Sequence, residues 1–411
     1  MTTVVRQEGE FLKSGGRYVD VKSLIGMGLP DPKESDLSRL TNLIAATTYL
    51  AEFFNLKVGD RLVMLTDRLL DPRVVAAITG LARARGIEPQ VVMNYTSQVE
   101  HMPDWVKPVV EQATVVVSTW FCSVVDPFNV EMRRRGQRWI KITFFRDFDL
   151  LYTPQARFPA ALVGALAKAT AGRYPSGQSF DLAFSDDRGS DFRIGFTQRM
   201  RDKLLATNRW RGKIAADEDG CYCHYLPTHG PNVYERGPCI DSPEQVVDMS
   251  GTIYPQWAVG FDRPFAEKIG VRFEADAVTE VTGASAEAGV LREMLLGGKL
   301  IELGCGFNPK APRHQIYPAG SNSVGALHFG IDLVKPSEYI RKTMPDWEEP
   351  PIHMDLITFD TTVYAGSSLL IRDGVLEATR DAEVQELAAI YGDPIDLLER
   401  WPERLDCGGF L

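Results

Sequence analysis

His353 and Asp355 stand two residues apart in Ile352-His353-Met354-Asp355-Leu356, and on an extended strand that spacing turns both side chains to one face. Upstream, Ile301-Glu302-Leu303-Gly304-Cys305-Gly306 sets a carboxylate before a glycine turn, and Leu327-His328-Phe329-Gly330 adds a second imidazole. Two carboxylates and two imidazoles therefore fall within 54 residues, counted from Glu302 to Asp355. Each sits where a strand end or tight turn can aim it at a common point, so the fold has to assemble them. Oxygen and imidazole donors in this mixture suit a borderline divalent ion such as Zn, Mn, Co or Fe(II). Glu302, His328, His353 and Asp355 are the expected metal ligands. Read without a metal, His353 and Asp355 would be a hydrogen-bonded strand pair, and Glu302 would serve the amides of its own turn.

The run Leu300-Ile301-Glu302-Leu303-Gly304-Cys305-Gly306 also reads as the first motif of an S-adenosylmethionine-dependent methyltransferase, with Phe329-Gly330-Ile331-Asp332 as the second strand. Two observations count against it. Asp332 lies 30 residues after Glu302, longer than the roughly 20 of the analogous dinucleotide fingerprint. The segment between should be helical, yet it carries Pro309, Pro312, Pro318, Gly320 and Gly325. A proline inside a helix costs about 3 kcal/mol.

The first half of the chain reads as α/β. Leu40, Leu43, Ile44, Thr47 and Leu50 recur at helical spacing behind Asp36 as N-cap. Runs at 61–66, 90–95 and 113–118 read as strands, and a helix from Asp71 to Arg85 ends at Gly86. Strands alternating with helices of this length imply a parallel βαβ sheet. A Gly/Ser/Asp-rich stretch between about 175 and 195 marks the expected boundary, with an N-terminal α/β domain at 1–185 and a C-terminal α+β metal-binding domain at 186–411. Beyond it come shorter strands at 192–196 and 271–273, and helices at 286–296 and 381–390. The site is expected between the two domains, where ligand pockets commonly form.

A net charge of -10 argues against nucleic acid as the main partner. No apolar run reaches the 18 or so residues of a membrane span, and the acidic N-terminus does not read as a secretory signal. Cysteines at 122, 221, 223, 239, 305 and 407 do not form a disulfide framework. A cytoplasmic enzyme, assembled as a homo-oligomer and acting on a small molecule, is the expectation. Cys221-x-Cys223-His224 invites a zinc reading, but a structural zinc site takes four ligands and no second cysteine pair follows. Cys305 is expected to be a small buried hydrophobe.

These residues resemble the metal-dependent leucyl aminopeptidases of the thermophilic type, in a superfamily that includes 2,5-dihydroxypyridine 5,6-dioxygenase, a non-haem iron enzyme that opens a pyridine ring. The resemblance runs from about 37 to 375 and is generic in the first half. In the second half it rests on Asp191-Phe192-Arg193-Ile194-Gly195, Leu226-Pro227-Thr228, Glu302, His328 and His353-x-Asp355 in the family's order. It implies that Glu302, His328, His353 and Asp355 bind the metal. Two departures follow. Family peptidases place a metal-bridging glutamate after Leu-Pro-Thr, where this chain has His229-Gly230-Pro231, and a tyrosine seven residues after the histidine, where it has Lys335. Without a bridging carboxylate the case for two metals weakens, and a single ion held by histidine and carboxylate resembles the Fe(II) oxygenases.

His224 and His229 flank Tyr225-Leu226-Pro227 on an apparent loop, and histidines beside a metal site serve as acid or base because their pKa lies near neutral. They are the expected catalytic pair, with His229 a further ligand candidate. The expected activity is ring cleavage of a small hydroxylated aromatic or N-heterocyclic compound by O2 at Fe(II). The alternative is a metallohydrolase acting on an amide or other C–N bond with Zn, Mn or Co.

Overall fold

A computed structural model describes residues 50–51, 53–97, 99, 101–142, 146–207, 209–212, 223–226, 232–235, 248–261, 263–313, 322–334 and 353–399. The strands, in chain order, are β1 (Leu62–Asp67), β2 (Gln90–Asn94), β3 (Val115–Ser118), β4 (Arg138–Ile142), β5 (Phe180–Ser185), β6 (Asp191–Phe196), β7 (Cys223–Leu226), β8 (Asn232–Glu235) and β9 (Met249–Ile253). They continue with β10 (Trp257–Ala258), β11 (Gly270–Glu274), β12 (Ala277–Thr282), β13 (Leu300–Cys305), β14 (Leu327–Asp332), β15 (His353–Thr358), β16 (Thr362–Ala365), β17 (Ser368–Arg372) and β18 (Val375–Leu376).

Three sheets result. The first has the order β2-β1-β3-β4-β7, with every neighbouring pair parallel. Its inner strand β1 is buried along its whole length, as an apolar run covered on both faces requires. The helix Pro72–Arg83 starts on the Asp71 carboxylate, which accepts from the Arg73 amide at 2.8 Å, and carries proline in its first turn. The chain leaves it through Gly86 at φ +72°, a conformation glycine adopts without strain. This is the expected parallel half. The helix expected from the 40–50 periodicity lies outside the described residues except at its end, where Leu50 is buried with Phe53 and Phe54.

The second and third sheets are antiparallel, with orders β10-β15-β14-β13-β8 and β12-β11-β9-β6-β5-β16-β17-β18. The stretch expected to be a domain boundary is a β-hairpin. Asp186 accepts from the amides of Arg188 at 3.0 Å and Ser190 at 2.9 Å, and β5 pairs with β6 from Phe180↔Phe196 to Ser185↔Asp191. Turn chemistry explains the composition there, and hydrogen bonding runs through position 185 rather than stopping at it. The segment after it also returns to the first sheet, because β7 pairs with β4.

Inward-facing aromatics join the two antiparallel sheets. The Phe329 ring of β14 lies 5.9 Å from Phe184 and 5.7 Å from Phe192, and Phe192 lies 5.2 Å from Phe273. Phe329, Leu327, Ile331, Met354 and Leu356 all face this core. Among the described residues no helix is long and apolar enough to cross a membrane. Removing the aromatic bridge tests its weight. Phe329→Ala should lower the unfolding free energy by about 3–5 kcal/mol, read as a reduced urea midpoint at unchanged slope.

Candidate metal centre

Register assembles the four expected ligands. β14 lies between β13 and β15, and one row across the three strands reads Glu302, Gly330, Asp355. In the neighbouring rows His328 lies opposite Gly304 and Ile357, and Asp332 lies opposite His353. Directly opposed residues share a face, and side chains alternate along each strand. His328, Gly330 and Asp332 therefore stand on the same face as Glu302, His353 and Asp355, while the intervening apolar residues point to the core.

The side chains meet there. Glu302 Oε1 lies 3.1 Å from His328 Nε2, Glu302 Oε2 lies 3.5 Å from His353 Nε2, and Asp355 Oδ1 lies 3.2 Å from the same nitrogen. His328 and Asp355 are nearly closed to water, at 9% and 12% side-chain exposure, whereas Glu302 and His353 keep 23% and 25%. One side of the cluster is thus open. Gly330 makes the convergence sterically feasible: a Cβ at that position would stand 2.9 Å from Glu302 Cβ, 3.0 Å from His353 Cδ2 and 3.3 Å from Asp355 Oδ1.

The charges sustain one another. Burial pushes the Glu302 carboxyl up, but the hydrogen bond from His328 and the charge of His353 outweigh it and hold the group below its ordinary value. Burial pushes both imidazoles down, and again the partners win. Asp355 with Glu302 carries His353 up to about 9, and the hydrogen bond to Glu302 with the charge of Asp355 raises His328. The Cys305 thiol, buried in the same strand, is driven up to about 12 and stays protonated, in keeping with a packing role.

Among the described residues no group of three or more His, Cys, Asp or Glu is arranged to hold a metal ion as it stands. The four groups close on one another instead. Their chemistry and spacing nevertheless fit an ion. Donors about 2.0–2.2 Å from one centre lie roughly 3.0–3.5 Å from each other, and the observed separations are 3.1, 3.2 and 3.5 Å. The Nδ1 atoms of His328 and His353 are buried without a hydrogen-bond partner.

His224 does not lie on a loop. It belongs to β7, in register with Ile140 of β4, because the pairing available at the edge of the parallel sheet extends Cys223–Leu226 into a strand. His229 and Lys335 lie outside the described residues, and so do Cys221 and Cys239. His101 is an exposed surface residue, with Nδ1 3.4 Å from Asp126 Oδ2. The methyltransferase reading needs β13 and β14 to be parallel, and they are antiparallel neighbours. Two hollows of about 390 and 310 Å³ lie elsewhere, beside Met132 and Gln137 and beside Phe180 and Asp248. Sequence reasoning missed Gly330 and Asp332 as parts of this face, although the alternation His328-x-Gly330-x-Asp332 on one strand carries the signal.

No family model and no curated protein matches this chain. Solved structures do. The chain is similar to 2,5-dihydroxypyridine dioxygenase from Pseudomonas putida, with a TM-score of 0.58 and 17% identity, over 84% of this chain and 99% of that one. It is also matched to wild-type AmpT from Thermus thermophilus, with a TM-score of 0.48 and 15% identity, over 82% and 99%. The first match shows a shared fold.

Two outcomes are expected of the metal-free protein. Gly330→Ala should force Glu302 and His353 apart and return the His353 pKa toward about 6.5, read by NMR titration; an unchanged titration would show that the cluster has room to spare. His353 is raised on folding, so its contribution to stability is complete below about pH 6.5 and lost as pH rises through about 9. Thermal midpoints should fall across that window in the parent and fall less in His353→Gln.

Proposed function

We propose that this protein is a metalloenzyme in which Glu302, His328, His353 and Asp355 hold one Fe(II), and that it opens the ring of a small hydroxylated aromatic or N-heterocyclic compound with O2. One observation carries the metal: two imidazoles and two carboxylates converge on one sheet face at ligand-to-ligand spacing. The choice of iron is supported by the donor set, since two histidines with carboxylate and open positions suit non-haem Fe(II). The fold shared with 2,5-dihydroxypyridine dioxygenase supports the reaction class.

When bound, such an ion supplies adjacent positions for substrate oxygen functions and for O2. The chain does the rest. Three hydrogen-bonded strands hold the donors, so the site is carried by rigid elements rather than by loops. The buried carboxylates draw a cation in, and both imidazoles must lose their protons to bind it. Solvent-exposed edges of Glu302 and His353 leave one side open to a ligand. His224 and His229 are the proposed proton acceptors for a substrate hydroxyl. The link 227–231, which contains His229, joins β7 of the parallel sheet to β8, and β8 is bonded to the strand of Glu302.

Elemental analysis of protein purified without added metal should find one iron per chain, and His353→Ala and Asp355→Ala should each lose it while remaining folded. Full iron content in both variants would remove the metal assignment. Ring cleavage by a dioxygenase consumes O2 in step with substrate, so anaerobic turnover at an unchanged rate would replace it with the hydrolytic alternative. His224→Ala or His229→Ala should reduce turnover by about 10²–10⁴-fold with metal content at the parent level. Loss of metal from His229→Ala would make His229 a ligand instead.

A further inference from the structure

A histidine that ligates through one ring nitrogen usually donates the other N–H to a carboxylate, a carbonyl or water, and that second partner fixes the ring. His353 has no such partner in place. Its Nε2 lies toward Glu302 and Asp355, and its Nδ1 is buried without a hydrogen bond. The carboxylate nearest in register is Asp332, directly opposite on β14 and on the same face. The Cβ atoms of opposed residues in an antiparallel pair stand about 4.5–5.5 Å apart. Nδ1 is the ring nitrogen close to the backbone, and an aspartate is short enough to meet it at that height above the sheet. Ring orientation agrees: the Cδ2 edge of His353 faces Gly330, so the Nδ1 edge faces away from Gly330, toward the Asp332 end of the strand.

We infer that Asp332 is a positioning residue for the metal centre: it accepts the Nδ1–H of His353 and so fixes the tautomer that leaves Nε2 free to ligate. The inference rests on the metal reading above. It gives Asp332 a role distinct from the four ligands, since its carboxylate acts through the ring and not on the ion. It also accounts for an acidic residue on a face where each further carboxylate adds repulsion to Glu302 and Asp355.

Zn(II) alone, a diamagnetic probe, tests it. Affinity is measured by chelator competition in the parent and in Asp332→Ala, Asp332→Asn and His353→Ala, with ¹⁵N-labelled histidine followed by NMR. Asp332→Ala should bind Zn(II) about 10–100-fold more weakly and lose the hydrogen-bonded Nδ1–H resonance of His353. Asp332→Asn keeps an acceptor oxygen and should recover much of both, which a purely structural role would not predict. If the parent binds Zn(II), His353→Ala loses it, and Asp332→Ala keeps parent affinity and an unchanged resonance, the assignment of Asp332 is overturned while the metal reading stands. A parent with no affinity for Zn(II), Fe(II), Mn(II) or Co(II) overturns both.

Discussion

Everything at the candidate centre depends on the hydrogen-bonded register of β14 between β13 and β15. That register sets Glu302, Gly330 and Asp355 in one row and Asp332 against His353. A slip of one residue would turn His328 and Asp332 into the core and Phe329 out to the cluster. The apolar face prevents it. Phe329 is held between Phe184 and Phe192 of the eight-stranded sheet, so the packing that joins the two sheets also fixes which side chains can meet on the far face.

Collecting four ionisable groups on one sheet face is costly unless each is paired, because burial opposes every charge. Here the pairing is reciprocal. Glu302 and Asp355 push both imidazole pKa values up, and the two imidazoles hold the Glu302 carboxyl below its ordinary value. Under the metal reading proposed above, a divalent ion would displace the imidazole protons and take over their charge. Gly330 lets these groups approach one another and adds no side chain of its own.

The parallel sheet contributes through chain path. The chain leaves the parallel sheet after β4 to build β5 and β6, returns to it for β7, and then supplies β8 beside β13. The two histidines expected to act as acid and base, His224 and His229, belong to this returning segment. Four of the five parallel strands thus precede every antiparallel strand, and the fifth, β7, follows β5 and β6.

Local chemistry was legible in the sequence wherever one residue type dictates one conformation. Asp71 before Pro72 and Gly86 after the helix announce themselves by capping preferences that act within a few residues. The period-2 spacing of His353 and Asp355 likewise determines a common face once the segment is extended. Strands whose burial comes from distant partners were not legible: β4 carries Lys141, which reads as a surface residue until its ammonium is found bonded to the Trp120 carbonyl at 2.8 Å. Alternation along β14 puts Gly330 and Asp332 on the face of His328, but spacing alone does not reveal which residues of the neighbouring strands they meet. Cross-strand register decides that, and register is set by the burial of Phe329 and its neighbours against another sheet, an interaction between segments more than a hundred residues apart.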